Sequence, residues 1–167
     1  MNLGDDRGDG SFGSHERWMR LALAEARAAG EAGDVPVGAV VVQGDRILGR
    51  GRNQVEVLKD PTAHAEILAL GAASTALGDW RLDDCTLYST LEPCTMCAGA
   101  VLLGRPRRIV YGAPDPRAGA LVSTARLLEA NPYRLAFEVL GGVLEDECAQ
   151  LLRDFFRRLR VRGGGED

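Results

Sequence analysis

The sequence contains no run of about 18 apolar residues, so none of it reads as a membrane span. Its first 13 residues are acidic and glycine-rich and lack an apolar centre, so a secretory signal is not expected there. Cysteine is scarce: four in 167 residues, too few for a disulfide scaffold. Two of the four stand in a Cys-x-x-Cys spacing, which suits a reducing compartment, and a cytoplasmic location is expected. Lysine is nearly absent. Lys59 is the only one, so arginine carries almost all the positive charge.

What remains is ordinary for a globular chain, with 46% hydrophobic and 26% charged residues, and the length suits one domain with a proper core. The net charge of −4 argues at first sight against a nucleic-acid partner. Its distribution removes that objection. Three aspartates against Arg7 make residues 1–15 net −2, and Glu166 and Asp167 add another −2, which leaves residues 16–162 neutral. Within that body, Arg153, Arg157, Arg158, Arg160 and Arg162 face only Asp154, and such local fields decide whether phosphates are attracted.

The pattern predicts a disordered arm over 1–13, one folded domain over 14–162 and a flexible tail over 163–167. Ser14 is the expected N-cap of a helix reaching about Ala29. Val37 to Val42 is too apolar for a one-sided strand and reads as central; Gln43 to Arg46 turns the chain into a returning strand, Ile47 to Gly51. Asn53 to Lys59 reads as a loop. A helix follows, with Thr62 as N-cap and His64 in its first turn, ending near Ala76. Thr86 to Thr90 is a strand, Cys94 opens a helix ending near Gly104, and Arg108 to Tyr111 is a short strand. Gly112 to Ala120 is a loop, Leu121 to Ala130 a short helix, Leu135 to Leu140 the last strand, and Glu145 to Arg160 a long helix with Phe155, Phe156 and Leu159 as core. Helices alternating with about five strands, the first two in a hairpin, predict a three-layer α/β domain on a mixed sheet.

Two short stretches carry chemistry: His64-Ala65-Glu66 and Pro93-Cys94-Thr95-Met96-Cys97. Cys94 and Cys97 share a helix face near a helix start, where unpaired N–H groups and the dipole favour thiolates. Such a pair can also be redox-active, but the histidine and carboxylate thirty residues upstream favour zinc. His64, Cys94 and Cys97 make three ligands, and a tetrahedral ion keeps its fourth position for water, as catalytic zinc sites do. His15 lies in the expected mobile region, and Cys85 and Cys148 lack ligand spacing. Zinc acidifies bound water towards neutrality, and Glu66 is placed to move the proton as general acid and base.

H-x-E followed by P-C-x-x-C is the signature of the zinc nucleobase deaminases. From residue 14 to about 160 the chain resembles the bacterial tRNA-specific adenosine deaminases, within the cytidine/deoxycytidylate deaminase superfamily. The resemblance is carried by Val35-Pro36-Val37-Gly38-Ala39-Val40, Asp60-Pro61-Thr62-Ala63-His64-Ala65-Glu66, Leu91-Glu92-Pro93-Cys94-Thr95-Met96-Cys97-Ala98-Gly99-Ala100, and Glu147-Cys148 with Asp154-Phe155-Phe156. It implies an α/β/α cytidine-deaminase-like fold, one zinc per subunit on His64, Cys94 and Cys97, and Glu66 as proton shuttle. It further implies that Asn53 and the Ala65 backbone hold the target base while Val37 and Leu91 pack on its faces. The implied substrate is the wobble adenosine, position 34, of a tRNA-Arg anticodon loop, converted to inosine by hydrolysis of a cyclic amidine C–N bond. The implied assembly is a homodimer whose two subunits both touch the tRNA. This sequence departs from the family with Arg52, where tryptophan is common, and in residues 112–123, where Arg117 replaces the usual lysine.

Two other readings stand beside this one. A deaminase of a free base or nucleoside, guanine or cytosine type, shares the zinc motif; a zinc-stabilised RNA-binding module without catalysis would want a fourth protein ligand. The arginines Arg153, Arg157, Arg158 and Arg160 are candidate RNA contacts, or alternatively a solvated helix face.

Overall fold

The valine-rich run from residue 37 forms the spine of the molecule. In this computed structural model, which describes residues 12–129 and 131–163, it becomes β1 (Gly38–Gln43), flanked on both sides and buried along almost its whole length. Gly44, at φ +56°, turns it into β2 (Arg46–Arg52), its antiparallel partner. On its other side β1 pairs antiparallel with β3 (Thr86–Leu91); β3 pairs parallel with β4 (Arg108–Ala113), and β4 parallel with β5 (Glu138–Leu140). The sheet is therefore mixed, in the order β2-β1-β3-β4-β5.

Alternation along these strands fills two cores. Val40, Val42, Tyr88 and Val110 face α1 (Phe12–Glu31) and α5 (Glu145–Gly163), where they meet Trp18, Met19, Ala22, Leu23 and Cys148. Ala39, Val41, Leu87, Ile109 and Tyr111 face α3 (Ala65–Leu77) and α4 (Thr95–Gly104). Three layers result, as the sequence predicts. No helix among the described residues is long and apolar enough to cross a membrane.

Several local expectations change. Ser14 lies inside α1 rather than capping it, and residues 1–11 and 164–167 of the expected arm and tail fall outside the described residues. His15 is not in a mobile region. It is buried in α1 with its Nδ1 2.8 Å from the Tyr88 hydroxyl, and burial lowers the ring's pKa while pushing Tyr88 up to about 12. The loop after β2 contains a single helical turn, α2 (Val55–Leu58), because the buried Asp34 carboxylate accepts from the Glu56 and Val57 amides. Of the helix expected over Leu121 to Ala130, the described residues 121–129 form none. Their first amides are drawn to the Glu92 carboxylate instead of to helical carbonyls, and Arg126 turns the chain at φ +49°. The last strand starts only at Glu138, since Asn131 ties Leu135 into a turn through its side chain. Phe156 and Leu159 are not core: α5 buries only Cys148, and these two are 43% and 47% exposed.

Two glycines set the distance between β2 and α3. A Cβ on Gly49 or Gly51 would run into the α3 backbone at Ala65, Ala69 or Ala73, so the helix lies directly on the strand. Gly51→Ala should therefore destabilise the protein by about 2 kcal/mol through overpacking, read as a lowered midpoint in chemical denaturation.

Candidate active site

Three chain segments end at one corner of the sheet. Strand β3 leads through Leu91 and Pro93 into α4; β2 ends at Arg52, just before Asn53; and β1 begins just after Val37. The Asn53 amide donates to the Val37 carbonyl (3.0 Å) and the Gln54 amide to the Ala63 carbonyl (3.0 Å), which ties these segments beside the start of α3. Together they line a cavity of about 340 Å³ whose walls include Val37, Asn53, His64, Ala65, Glu66, Leu91 and Cys94. The volume lies at the small end of the range typical of ligand pockets.

His64 occupies the N-cap of α3, at φ −75°, ψ 150°, one step before the first helical turn that the sequence predicts for it. The reason is Asp60, whose carboxylate accepts from both the Thr62 amide and the Thr62 hydroxyl; Thr62 is thereby held in an Asx turn and cannot cap the helix. The Leu68 amide reaches the His64 carbonyl, so α3 starts directly after it. In this extended geometry His64 and Glu66 turn towards the same cavity, although two residues within a helix diverge.

Cys94 likewise sits at the N-cap of α4, with Cys97 at its third helical position. Their Sγ atoms lie 3.6 Å and 3.5 Å from His64 Nδ1, and the three donor atoms fall within 4.8 Å of one another. A tetrahedral zinc with bonds of about 2.1 Å to nitrogen and 2.3 Å to sulfur spaces its ligands roughly 3.6 Å apart, so this is a candidate metal site with zinc-like donors and spacing. No fourth histidine, cysteine or carboxylate joins the group among the described residues. The Cys97 thiol and His64, both hydrogen-bonded to Cys94, hold the Cys94 thiol down to about 3, while the shared proton and burial push Cys97 up. The same Cys94 hydrogen bond raises His64.

Glu66 is buried, and loss of water raises its pKa above the usual carboxylate range. Its Oε1 lies 3.2 Å from the Ser89 hydroxyl, which is also 2.8 Å from the Leu91 carbonyl. That hydroxyl has one proton and two lone pairs, so it can donate to an ionised Glu66 or accept from a protonated one.

The structure separates the candidate RNA-contacting arginines. Arg153, Arg157 and Arg160 follow one face of α5 and, with Arg117, Leu152 and Phe156, line an open groove of about 440 Å³. Arg158 lies off that groove, its Nε donating to the Asp154 carbonyl. The sequence does not single out three residues that the structure places at the cavity: Ser89 beside Glu66, and the buried carboxylates Asp34 and Glu92, which accept from amides of residues 56–57 and of residues 115–123. The partners of the two carboxylates are mostly backbone amides distant in sequence, a relation that no side-chain pattern reveals.

Residues 13–160 match the family model of the MafB19-like deaminases. The chain is 47% identical over 147 residues to a tRNA-specific adenosine deaminase of Bacillus subtilis, an alignment that covers 88% of this chain and 91% of that one. Among solved structures it is similar to one from studies of A-to-I editing by tRNA:A34 deaminases at the wobble position of transfer RNA. There the TM-score is 0.77 and the identity 47%, over 81% of this chain and 99% of that chain. It is also similar, at TM-score 0.73 and 29% identity over 84% and 83% of the two chains, to a guanine deaminase from Nitrosomonas europaea. Cys94→Ser, which removes one of three donors, should lower the bound metal well below one ion per chain in elemental analysis; a full complement would remove Cys94 from the ligand set.

Proposed function

This chain belongs to the family of tRNA-specific adenosine deaminases, and we propose from that premise that it hydrolyses the wobble adenosine, position 34, of a tRNA-Arg anticodon loop to inosine. The observation that carries the reading is a single cavity lined at once by two candidate metal ligands, a buried carboxyl and an amide side chain: His64, Cys94, Glu66 and Asn53. The proposed cofactor is one zinc ion per subunit on His64, Cys94 and Cys97. The proposed setting is a cytoplasmic homodimer with both subunits touching the RNA.

Deamination adds water at adenine C6, protonates N1 and releases the amino group as ammonia. His64, Cys94 and Cys97 would hold the zinc ion, whose Lewis acidity would make water nucleophilic near neutral pH. Glu66 takes one proton from the attacking water and delivers it to N1, then takes the second from the hydroxyl now on C6 and delivers it to the departing amine, so a carboxyl with a raised pKa serves in both directions. Ser89 follows that cycle by turning its single proton from the Leu91 carbonyl to Glu66 when the carboxyl is ionised and accepting from it when it is protonated. Asn53 and the Ala65 backbone hold the edge of the base, and Val37 and Leu91 close on its two faces. The base has to leave the loop stack to reach this depth, which a splayed anticodon permits at a cost of a few kcal/mol. The groove of Arg117, Arg153, Arg157 and Arg160 supports a polynucleotide over a free base, because a free base carries no phosphates for it to meet.

Glu66→Ala should reduce inosine formation by several orders of magnitude with metal content unchanged; near-normal turnover would remove its role in proton transfer. Replacing Arg157 and Arg160 together by Ala should weaken RNA binding at low salt and reduce the slope of log K against log salt by about one for each phosphate that the protein ceases to neutralise. Unaltered affinity at both low and high salt would return the groove to plain surface. The functional reading itself is tested by an inosine assay on tRNA-Arg beside free adenosine, guanine and cytosine. Turnover of guanine with none of tRNA would favour the free-base reading.

A further inference from the structure

The mechanism leaves Glu92 without a task, although it is 1% exposed and stands two residues from Cys94. Its Oε1 accepts from the amides of Val122 (2.8 Å) and Ser123 (2.9 Å). Its Oε2 accepts from the amide of Asp115 (3.1 Å) and the hydroxyl of Ser123 (2.5 Å). A carboxylate offers about four lone-pair sites, and all four are taken by residues 115–123, so none remains for substrate. Burial opposes the charge, yet the Ser123, Val122 and Asp115 donors outweigh it and hold the group below the usual carboxylate range. Gly119 passes so close that a Cβ there would strike the carboxylate.

The segment held in this way has two working sides. Asp115 and Ala118 form part of the cavity wall, while Arg117 between them faces the groove it shares with Arg153, Arg157 and Arg160. Its far end is stitched to the metal-site helix, the Ala120 amide donating to the Pro93 carbonyl (2.8 Å) and Gly119 bridging to Cys94. We propose that Glu92 is a positioning residue: by anchoring residues 115–123 it fixes the distance between the base cavity and the arginine groove, and so selects a base that arrives on a phosphate chain. The kinetic part of this inference rests on the deaminase reading; the anchoring itself does not.

Glu92→Gln keeps the shape but turns an N–H₂ donor on amides that need an acceptor. In the full-length protein, hydrogen exchange at the amides of Asp115, Val122 and Ser123 should quicken by about tenfold or more, while amides of β3 keep their native rates. KM for an anticodon stem-loop should rise by about tenfold with kcat changed by less than about threefold and metal content retained. Ser123→Ala, on an exposed residue, removes one donor of the four and should move exchange at Asp115 and KM in the same direction by about threefold, which covers the case of a misfolded Glu92→Gln. Native exchange rates in residues 115–123 of either folded variant would overturn the proposal, as would a fall in kcat with KM unmoved. A native protein that deaminates no stem-loop would sink the functional reading, and the exchange rates would still decide the anchor.

Discussion

Two helices of this molecule begin at the same point in space without side-chain caps, and the chemistry depends on that arrangement. His64 and Cys94 hold the N-cap positions of α3 and α4, where Ser, Thr, Asp or Asn would ordinarily satisfy an amide, and neither makes a capping hydrogen bond. Each omission costs about 1 kcal/mol of helix stability. In return the extended backbone at each cap turns a donor side chain outward along the helix axis, and the two axes bring those donors to 3.6 Å. The exposed amides and the positive end of the α4 dipole then favour a thiolate at Cys94, the form in which it could bind a metal.

The convergence needs a rigid floor and adjustable walls. Gly49 and Gly51 supply the floor by letting α3 rest on the backbone of β2, which fixes the depth of His64 and Glu66 relative to Asn53. The walls are two loop segments, each held by one buried carboxylate, Asp34 for the turn at residues 55–58 and Glu92 for residues 115–123. Asp34 is spent on backbone amides alone, whereas Glu92 also takes the Ser123 hydroxyl, so only the second wall depends on a particular rim side chain.

The hairpin of β1 and β2 and the helices bearing the metal donors are legible in the sequence because hydrophobic runs, Gly44 and the Cys94–Cys97 spacing are local signals. The candidate site is legible as a set of residue types, and the structure brings His64, Glu66, Cys94, Asn53, Val37, Ala65 and Leu91 to one cavity. What escapes a reading of the sequence is set by distant partners. Thr62 has the look of a cap because its engagement with Asp60 is not visible in a helix pattern; residues 121–130 have the look of a helix because the pull of Glu92 on their amides comes from thirty residues away. The sequence misplaces His15 for the same reason, its partner Tyr88 lying 73 residues downstream. Phe156 and Leu159 have the spacing of a core face, but the described part of the molecule leaves them nearly half exposed.

Strand β3 carries a buried polar contact on each side in successive residues: Tyr88 with His15 towards α1, Ser89 with Glu66 towards α3. Side chains alternate along a strand, so a slip of one residue would exchange the two faces. A phenol would then be driven against the buried Glu66 carboxyl, and a serine would leave the His15 ring with no partner in an apolar layer. The two contacts therefore act as opposed keys on one strand, and alternative pairings of the sheet are rejected on both faces at once.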